Sequence, residues 1–356
     1  MKERGTLGQK DLHYDHIVGC GGIGHGVVFS FQEDTTLGRN ESRLAVLEPS
    51  QDYCKLHIIL HYMAALVAAE YDDFRVYPIG MVGDDANGHR LRAEMQEVGM
   101  KTEHVGLSRI GQTMFSVCFQ YPDFSGGNIT SSNSASNEVT EEKISAFFGQ
   151  YDQDSKRGIF LAVPEVPLAA RMALLRHGRK HGALNVSSIL SEEAEAFAAS
   201  DGYPLTDILA INIDEAKSIA AADNQATVES IVHRCIQVAT EHNPALTVLV
   251  TDGARGSYCY QCGALAFTPA VKVPVVSTAG AGDAFLAGTL VGMVYGRPLT
   301  EIQASGPTAV QLGTLLAAMA VGSPHTINKA VNAETLGQYA RHHSKDFNNR
   351  ITNLET

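Results

Sequence analysis

The chain reads Val-Val-Ser-Thr-Ala-Gly-Ala-Gly-Asp-Ala-Phe from Val275 to Phe285, a stretch that joins an apolar strand, a glycine-rich turn and the start of a long apolar helix. Gly280 and Gly282 permit a sharp turn with bare backbone amides, and a helix that begins near Asp283 adds the positive end of its dipole. A turn of this kind binds a phosphoryl group. A carboxylate in a first helical turn is also a common preference at helix starts, so the role of Asp283 depends on the rest of the chain.

Composition limits the classes of protein that fit this chain. Its 356 residues can bury one large α/β core or two modest ones, and 44% apolar with 19% charged residues is typical of a packed globular enzyme. The formal net charge of -12 argues against a nucleic-acid-binding protein, because the phosphate backbone is held mainly by clustered Lys and Arg. An acidic surface is compatible with a nucleotide whose phosphates are held locally by backbone amides and Mg2+.

Targeting and membrane segments are not predicted. The start, from Met1 to Leu7, lacks the apolar run of a secretory signal, so we expect a cytoplasmic location. The apolar run from Ala279 to Gly296 is nearly long enough to span a bilayer, but it carries Asp283 and begins with glycines. We therefore expect a buried helix there and no membrane contact.

Two patterns approach the spacing of a metal site without completing it. Cys259 and Cys262 are two residues apart, but a zinc ribbon needs a second pair, so we expect reduced thiols packed on a strand or hairpin. His57 and His61 lie four residues apart on a predicted helix, without the intervening Glu of the metalloprotease motif. They are interpreted as residues of helix packing or of an interface.

Strands and helices alternate along most of the chain, which predicts an α/β fold with a mainly parallel central sheet and helices on both faces. The polar tail from Gln338 is expected to fray. The predicted strands of the sheet cover residues 16–18, 75–82, 158–163, 182–186, 207–212 and 246–251. The predicted helices cover residues 53–70, 89–98, 168–181, 192–198, 215–222, 228–241 and 306–321, besides the one that follows Ala279.

Two further segments have the pattern of hairpins outside the main sheet. Residues 27–31 and 43–47 form the first, and residues 112–120 with the turn at 122–127 form the second. The hairpins divide the chain into a core and a small β-sheet lid. We predict an α/β core from residues 1–26, 48–111 and 131–356, and a lid from residues 27–47 and 112–130.

Polar residues and glycines gather where the predicted parallel strands end. Asn185 ends one strand, Asn212 ends the next with Glu215 three residues on, and residues 251–256 end a third. The turn at 280–283 follows a fourth. Each residue alone is more typical of a helix cap or a turn, but ligands bind at this edge of open parallel sheets, so together they predict a site.

The chain resembles the ribokinase-like, or PfkB, family of carbohydrate and nucleoside kinases over most of its length. The family's Asp-Thr-x-Gly-Ala-Gly-Asp signature is matched by residues 277–283 except at its first position, which is Ser277. Residues 212–215 match its Asn-x-x-Glu motif, residues 251–256 resemble its nucleotide loop, and residues 80–88 resemble its Gly-x-x-Gly-x-Asp-x-x-Gly turn. The motifs occur in the family's order.

The resemblance implies an ATP-dependent phosphotransferase that phosphorylates a hydroxyl of a small sugar-like or nucleoside-like substrate. Asp283 would be the general base that accepts the proton of that hydroxyl. The turn formed by Gly280, Ala281 and Gly282, together with the Asp283 amide, would hold the phosphoryl group as charge develops.

The same resemblance implies ATP and Mg2+ as cofactors. Asn212 and Glu215 would act on Mg2+ through water, because Mg2+ keeps several waters and takes oxygen ligands. The lid would cover the substrate and exclude water, and many kinases of this type form dimers through it, which leaves a homodimer open. The residues expected to contact ATP are Asn185, Asn212, Glu215, Thr251, Gly253, Gly256 and Thr278.

Departures from the family pattern concern the substrate and a monovalent cation. The aspartate that ends the first strand in many relatives corresponds to Gly24, and residues 50–55 replace a Gly-Gly-x-x-x-Asn patch at the start of the next helix. Ser277 stands where relatives that bind a monovalent cation have an aspartate, so activation by K+ is not expected. The candidates for substrate contact are Gly22, Asp52, Lys55, Arg109, Thr113 and Asn133.

Two other functions stay open. Gly19, Gly21 and Gly24 fit the dinucleotide-binding fingerprint of an NAD-dependent oxidoreductase, although residues 26–31 have a strand pattern where that fingerprint needs a helix. A protein of the kinase fold that binds a nucleotide or metabolite without turnover is favoured by the missing substrate aspartate and disfavoured by the retained Asp283 and Glu215. Phosphotransfer to a small molecule, with no nucleic acid as partner, is the main prediction.

Overall fold

The computed structural model describes residues 12–123, 125–151, 157–301, 306–343 and 350–353. The strands are β1 (His16–Cys20), β2 (Gly24–Ser30), β3 (Val46–Leu47), β4 (Asp52–Tyr53), β5 (Arg75–Gly83), β6 (Val105–Ser108), β7 (Met114–Gln120), β8 (Gly126–Thr130), β9 (Gly158–Ala162), β10 (Leu184–Ser187), β11 (Ile208–Asn212), β12 (Thr247–Thr251), β13 (Gly256–Gln261), β14 (Ala264–Pro269) and β15 (Arg350–Asn353). The α-helices are α1 (Lys55–Met63), α2 (Ala86–Glu97), α3 (Glu141–Phe148), α4 (Leu168–His181), α5 (Ala194–Ala199), α6 (Gly202–Leu205), α7 (Ile213–Ile219), α8 (Val228–His242), α9 (Ala281–Val294), α10 (Ala309–Val321) and α11 (Ala333–His342).

A ten-stranded sheet forms the centre of the fold, in the order β15-β14-β13-β12-β11-β10-β9-β1-β5-β6. From β12 to β6 each strand is parallel to its neighbours, and β13, β14 and β15 continue the sheet as antiparallel strands. Parallel neighbours need a crossover connection, which the intervening helices supply. The predicted mainly parallel α/β fold is therefore confirmed.

Apolar helices cover both faces of this sheet. All residues of β1 and β9 are buried, as expected for strands that are packed on both faces. Ile17 belongs to an apolar cluster with α1, α9, α10 and α11, whereas its neighbour Val18 belongs to a second cluster with α3, α4, α7 and α8. Successive strand residues point to opposite faces, so the clusters lie on the two sides of the sheet.

A separate five-stranded sheet, here called the small sheet, has the order β3-β2-β7-β8, with β4 paired to β2. β2 is antiparallel to β3 and β7 is antiparallel to β8, so both predicted hairpins are confirmed. The small sheet also contains residues that the sequence assigns to the core, because β2 begins at Gly24 and β4 pairs with it through Asp52 and Tyr53. The exact division into core and lid domains stays a prediction.

The structure shows the backbone context of the glycine fingerprint at residues 19–24 and of the cysteine pair at 259 and 262. β1 ends at Cys20 and the chain enters β2 at Gly24, so it passes from strand to strand where a dinucleotide-binding fold begins a helix. The oxidoreductase alternative therefore lacks its structural context. Cys259 is buried in β13, and Cys262 is exposed in the turn after it.

The apolar run after Ala279 forms the predicted buried helix, whereas the tail from Gln338 continues a helix instead of fraying at once. α9 is buried along most of its length, and no helix within the described residues is long and apolar enough to cross a membrane. Fraying from Gln338 is not observed up to His342, because Leu336 and Ala340 pack α11 into the core. The segment from Met1 to Leu7, on which the expected location depends, lies outside the described residues.

Candidate active site

The glycine-rich turn before α9 has the backbone geometry of an anion-binding site. Gly280 has a φ of +76°, and a Cβ atom there would lie 2.7 Å from the carbonyl oxygen of Thr326, so glycine is required. The first amides of a helix have no acceptor within it. The amide of Ala281 donates to the carbonyl of Thr278 at 3.3 Å, which leaves the next two amides of the turn to face an anion.

Asp283 lies in the first turn of α9 and forms an ion pair with Lys55, the first residue of α1. The Nζ atom of Lys55 is 3.1 Å from Oδ1 of Asp283. Burial raises the pKa of Asp283, and the ammonium of Lys55 partly offsets this. Burial disfavours the charged form of Lys55, but the carboxylates of Asp283 and Glu215 outweigh it and raise its pKa. Lys55 therefore stays charged and favours the carboxylate form of Asp283.

Asn212 and Glu215 cap the start of α7 reciprocally. Oδ1 of Asn212 accepts the amide of Glu215, and Oε2 of Glu215 accepts the amide of Asn212, each at 2.8 Å. Burial raises the pKa of Glu215, and Lys55 partly offsets this effect. The capping bonds fix a carboxylate and an amide oxygen at the carboxyl end of β11.

These groups line one cleft beside the carboxyl ends of β11 and β12. Thr251 is the last residue of β12, and a Cβ atom at Gly282 would have Thr251 Oγ1 as its nearest neighbour, 4.0 Å away. Thr251 and Gly282 therefore lie on opposite sides of the cleft. The predicted site residues that line this cleft are Lys55, Asn212, Glu215, Thr251, Gly282 and Asp283.

The loop after β12 also needs glycine. Gly253 and Gly256 have φ values of +51° and +136°, a region that favours glycine. A Cβ atom at Gly253 would meet no atom within 4 Å, and Arg255 pairs with Asp252 at 2.7 Å beside it. The loop therefore presents a bare backbone on which a flat group can lie.

Thr278 is exposed at the start of the anion-binding turn.

Asp52, in β4 of the small sheet, is a further buried carboxylate near Asp283. It is 6% exposed, and its Oδ2 accepts hydrogen bonds from Ser116 Oγ at 2.8 Å and Cys118 Sγ at 3.4 Å. Burial raises the pKa of Asp52, the bonds from Ser116 and Cys118 lower it, and the nearby charge of Asp283 raises it again. A buried carboxylate with these neutral donors can accept further hydrogen bonds from a ligand.

Glu165 completes this acidic end of the site, just beyond the carboxyl end of β9. Its Oε2 atom is buried without a hydrogen-bond partner among the described residues. Burial raises the pKa of Glu165 to about 7, against the opposing effect of Lys55. A Cβ atom at Gly22 would lie 2.7 Å from Oε2 of Glu165, so Gly22 makes room for this carboxylate.

Asn185 does not reach the cleft, contrary to the prediction from the sequence. Its side chain is fully buried, and Nδ2 donates to the carbonyls of Leu175 and Leu205 at 2.7 Å each. These bonds tie β10 to the middle of α4 and to the last residue of α6. Ser188, which follows β10, lines the cleft instead.

Five of the six predicted substrate contacts are not among the residues that line the cleft, namely Gly22, Asp52, Arg109, Thr113 and Asn133. The hydroxyl of Thr113 donates to Asp85 Oδ1 at 2.7 Å and accepts the amide of Gly83 at 3.0 Å, so it stabilises the turn before α2. Arg109 and Asn133 are exposed and follow β6 and β8. A contact of these residues with substrate stays a prediction.

Sequence reasoning missed Ser188, Glu165 and Thr326. Ser188 and Glu165 follow the carboxyl ends of β10 and β9, so the rule for the edge of a parallel sheet, applied to every strand, finds both. Thr326 contacts Gly280 from a loop far away in the sequence, and no local pattern marks it.

Ser277 and its neighbours are held by hydrogen bonds from backbone amides. The amides of Val276 and Ser277 donate to the carbonyl of Val321 at 2.8 and 3.2 Å, and Ser277 Oγ accepts the amide of Ala279 at 3.3 Å. The carbonyl and the hydroxyl are thus used by backbone amides. An uncharged serine also supplies no negative charge to an ion.

Comparison with known proteins agrees with this geometry. The sequence model described as "pfkB family carbohydrate kinase" matches residues 62–333, a range that includes Asp283. A ribokinase of Schizosaccharomyces pombe is 27% identical over 233 residues, which cover 64% of this chain and 70% of that protein.

Solved structures with low identity share the fold. Ribokinase from Cryptococcus neoformans var. grubii in complex with ADP has a TM-score of 0.71 at 16% identity and covers 91% of this chain and 99% of its own. Burkholderia thailandensis nucleoside kinase in complex with inosine has a TM-score of 0.69 at 16% identity, with 91% and 97% covered. Since the family match spans most of the residues that form the core and the cleft, the chain belongs to the pfkB family and is a carbohydrate or nucleoside kinase.

Proposed function

We propose that this kinase transfers the γ-phosphoryl group of ATP to a hydroxyl of a small sugar-like or nucleoside-like substrate, with Asp283 as the general base. The observation that carries the proposal is the position of Asp283, in the first turn of α9 and 3.1 Å from Lys55. The carboxylate of Asp283, the amides of the glycine-rich turn and the ammonium group of Lys55 therefore lie next to one another. Phosphoryl transfer depends on positioning and on charge stabilisation, which these groups supply together.

Asp283 accepts the proton of the substrate hydroxyl while the hydroxyl oxygen bonds to phosphorus and the bond to the leaving oxygen breaks. Lys55 keeps Asp283 ionised despite the burial that raises its pKa. The amides of Gly282 and Asp283, at the positive end of the α9 dipole, stabilise charge on the transferring group. Lys55 adds a positive charge at the same place.

The nucleotide is assigned to the cleft between β12 and the start of α9. Thr251 and Thr278 flank it with hydroxyls, and the exposed backbone at Gly253 offers a surface for the base and ribose. Asn212 and Glu215 offer the oxygen donors that suit hydrated Mg2+. When bound, Mg2+ would neutralise charge on the phosphates.

Charges in the site favour a hydroxyl-rich substrate over an anionic one. Asp52, Glu165 and Asp283 influence one another electrostatically. The ammonium of Lys55 opposes the rise in the pKa values of Glu165 and Asp283 that burial causes, and it is already paired with Asp283. Carboxylates accept hydrogen bonds from hydroxyls and repel phosphate or carboxylate groups. We therefore assign sugar or nucleoside hydroxyls to this end and exclude sugar phosphates and sugar acids, in line with relatives named ribokinase and nucleoside kinase.

The small sheet is assigned to a homodimer interface. The strand register places Leu47, Phe115 and Ile129 on one face, where they are 58%, 38% and 71% exposed. An exposed apolar patch of this kind marks an interaction surface. Light scattering tests it, since the Ile129→Ser variant should convert a dimer into a monomer.

An ADP-release assay tests the reaction. Mg-ATP is incubated with pentoses, hexoses, sugar acids, sugar phosphates and nucleosides, for the wild type and for Asp283→Asn in parallel. Turnover of one neutral substrate that disappears in the variant supports the proposal. ATP binding in calorimetry without turnover on any substrate contradicts it and favours a nucleotide-binding protein without catalysis.

A further inference from the structure

Thr326 lies behind the anion-binding turn, in the loop between α10 and α11. It is 2% exposed. A Cβ atom at Gly280 would lie 2.7 Å from the Thr326 carbonyl oxygen and 3.0 Å from its Cβ, so the turn is packed directly on this residue. Any displacement of Thr326 therefore changes the position of Gly280.

The same residue is hydrogen-bonded to strand β4 of the small sheet. Oγ1 of Thr326 accepts the amide of Tyr53 at 3.1 Å, and the Thr326 amide donates to the carbonyl of Gln51 at 3.2 Å. The adjacent His325 accepts the amide of Gln51 through Nδ1 at 3.0 Å. Tyr53 in turn pairs with His25 of β2, so these bonds reach into the small sheet.

Further bonds hold the turn between the same two parts of the molecule. Val276 and Ser277 donate their amides to Val321, the last residue of α10. Across the cleft, Nε2 of Gln120 at the end of β7 lies 3.5 Å from Oγ1 of Thr278. The turn is thus connected to the small sheet behind it through Thr326 and in front of it through Gln120.

We propose that Thr326 is a positioning residue that couples the small sheet to the anion-binding turn. The bond from the Tyr53 amide to the Thr326 hydroxyl, and the packing of Thr326 on Gly280, connect β4 with the amides that follow Gly280. The coupling itself is a property of the fold, and its effect on turnover rests on the proposed phosphotransfer.

The first test measures the coupling without any activity. Thr326→Val keeps the volume of the side chain and removes the acceptor of the Tyr53 amide, whereas Thr326→Ser keeps that acceptor. Thr314→Val is the matched control, since the Thr314 hydroxyl is also buried and donates to the Val310 carbonyl within α10 at 3.0 Å. Amide hydrogen exchange is followed at Ala284, whose amide donates to the carbonyl of Gly280 at 2.9 Å.

We expect Thr326→Val to speed exchange at Ala284 at least about fivefold, and Thr326→Ser and Thr314→Val to leave it near the wild-type rate. Equal acceleration in the control would reduce Thr326 to a general packing residue and overturn the proposal. An unchanged rate in Thr326→Val would also overturn it.

The second test uses turnover. We expect Thr326→Val to lower kcat about tenfold with KM for ATP little changed, because the loss lies in transition-state positioning, and Thr326→Ser to restore kcat. A rise in KM without a fall in kcat would contradict the positioning role. If wild-type protein turns over no substrate, the proposed phosphotransfer has failed, and the exchange experiment alone decides the coupling.

Discussion

Lys55 begins α1 and Asp283 lies in the first turn of α9, and their charged groups meet at 3.1 Å. The pair joins a residue next to the small sheet with a residue of the anion-binding turn. Burial works against the ionised form of Asp283, and Lys55 works for it. The state of the proposed base therefore depends on a residue far away in the sequence.

Replacing Lys55 should move the pH dependence of turnover. In Lys55→Met the ammonium is lost while the burial of Asp283 remains, so the pKa of Asp283 rises. Because the base acts in its ionised form, the acid limb of the kcat profile should move to higher pH, and kcat at pH 7 should fall about tenfold or more.

Lys329→Met is the control for this variant, since Lys329 also pairs with a carboxylate, Glu94 at 3.4 Å, without lining the cleft. It should keep the wild-type profile. A Lys55→Met enzyme with an unshifted acid limb would contradict the role of the ion pair.

Replacing Asp283 should remove the general base and leave the nucleotide site in place. We expect Asp283→Asn to lower kcat at least about a hundredfold, with ATP affinity nearly unchanged in calorimetry. Asp73→Asn, the same change at an exposed aspartate, should be indistinguishable from wild type. Full activity in Asp283→Asn would end the proposed mechanism.

Local sequence patterns were sufficient to predict the parallel sheet, both hairpins and the cleft residues Asn212, Glu215, Thr251, Gly282 and Asp283. Each of these residues follows a strand or opens a helix, and chain alternation places all such positions at one edge of the sheet. The positions of these motif residues along the chain therefore already predict that they meet at one edge of the sheet.

The differences between the expected and the observed positions of polar groups come from contacts that local patterns do not encode. Asn185 was placed at a strand end, but it is inside β10, where its amide bonds to the carbonyls of Leu175 and Leu205. The hydroxyl of Thr113 is used by Asp85. Thr326 acts on Gly280 through tertiary packing alone. In each case long-range packing decides the partner of a polar group.

Replacing Asp52 should weaken the binding of the hydroxyl substrate. The buried carboxylate of Asp52 accepts bonds from Ser116 and Cys118, and a hydrogen bond from a substrate hydroxyl to a charged acceptor is worth about 1.5 to 3 kcal/mol. We expect Asp52→Asn to raise KM for that substrate about tenfold or more, with KM for ATP unchanged. Equal effects on both KM values would show that the small sheet had been disturbed as a whole.

Exchange of Na+ for K+ should not change the rate. The Val321 carbonyl is used by the amides of Val276 and Ser277, and Ser277 Oγ is used by the amide of Ala279. Initial rates at constant ionic strength in NaCl, KCl and a bulky organic cation chloride should agree within about twofold, since only general screening remains. A strict requirement for K+ would show that a cation binds through residues other than Ser277.

Glu165 should make the free energy of unfolding depend on pH. Burial raises its pKa from an ordinary 4.5 to about 7 in the folded protein, so the folded state holds this proton more tightly than the unfolded state does. The contribution of the proton to stability is full below about pH 4.5 and is lost as pH rises through about 7. Glu165→Gln, which stays neutral, should therefore gain stability relative to wild type at pH 8, by at most about 3 kcal/mol, and show little difference at pH 4.5. Glu229→Gln, the same change at an exposed glutamate, controls for the loss of one surface charge. Urea unfolding at both pH values measures the differences, and an equal shift at pH 4.5 and pH 8 would show that Glu165 is not the titrating group.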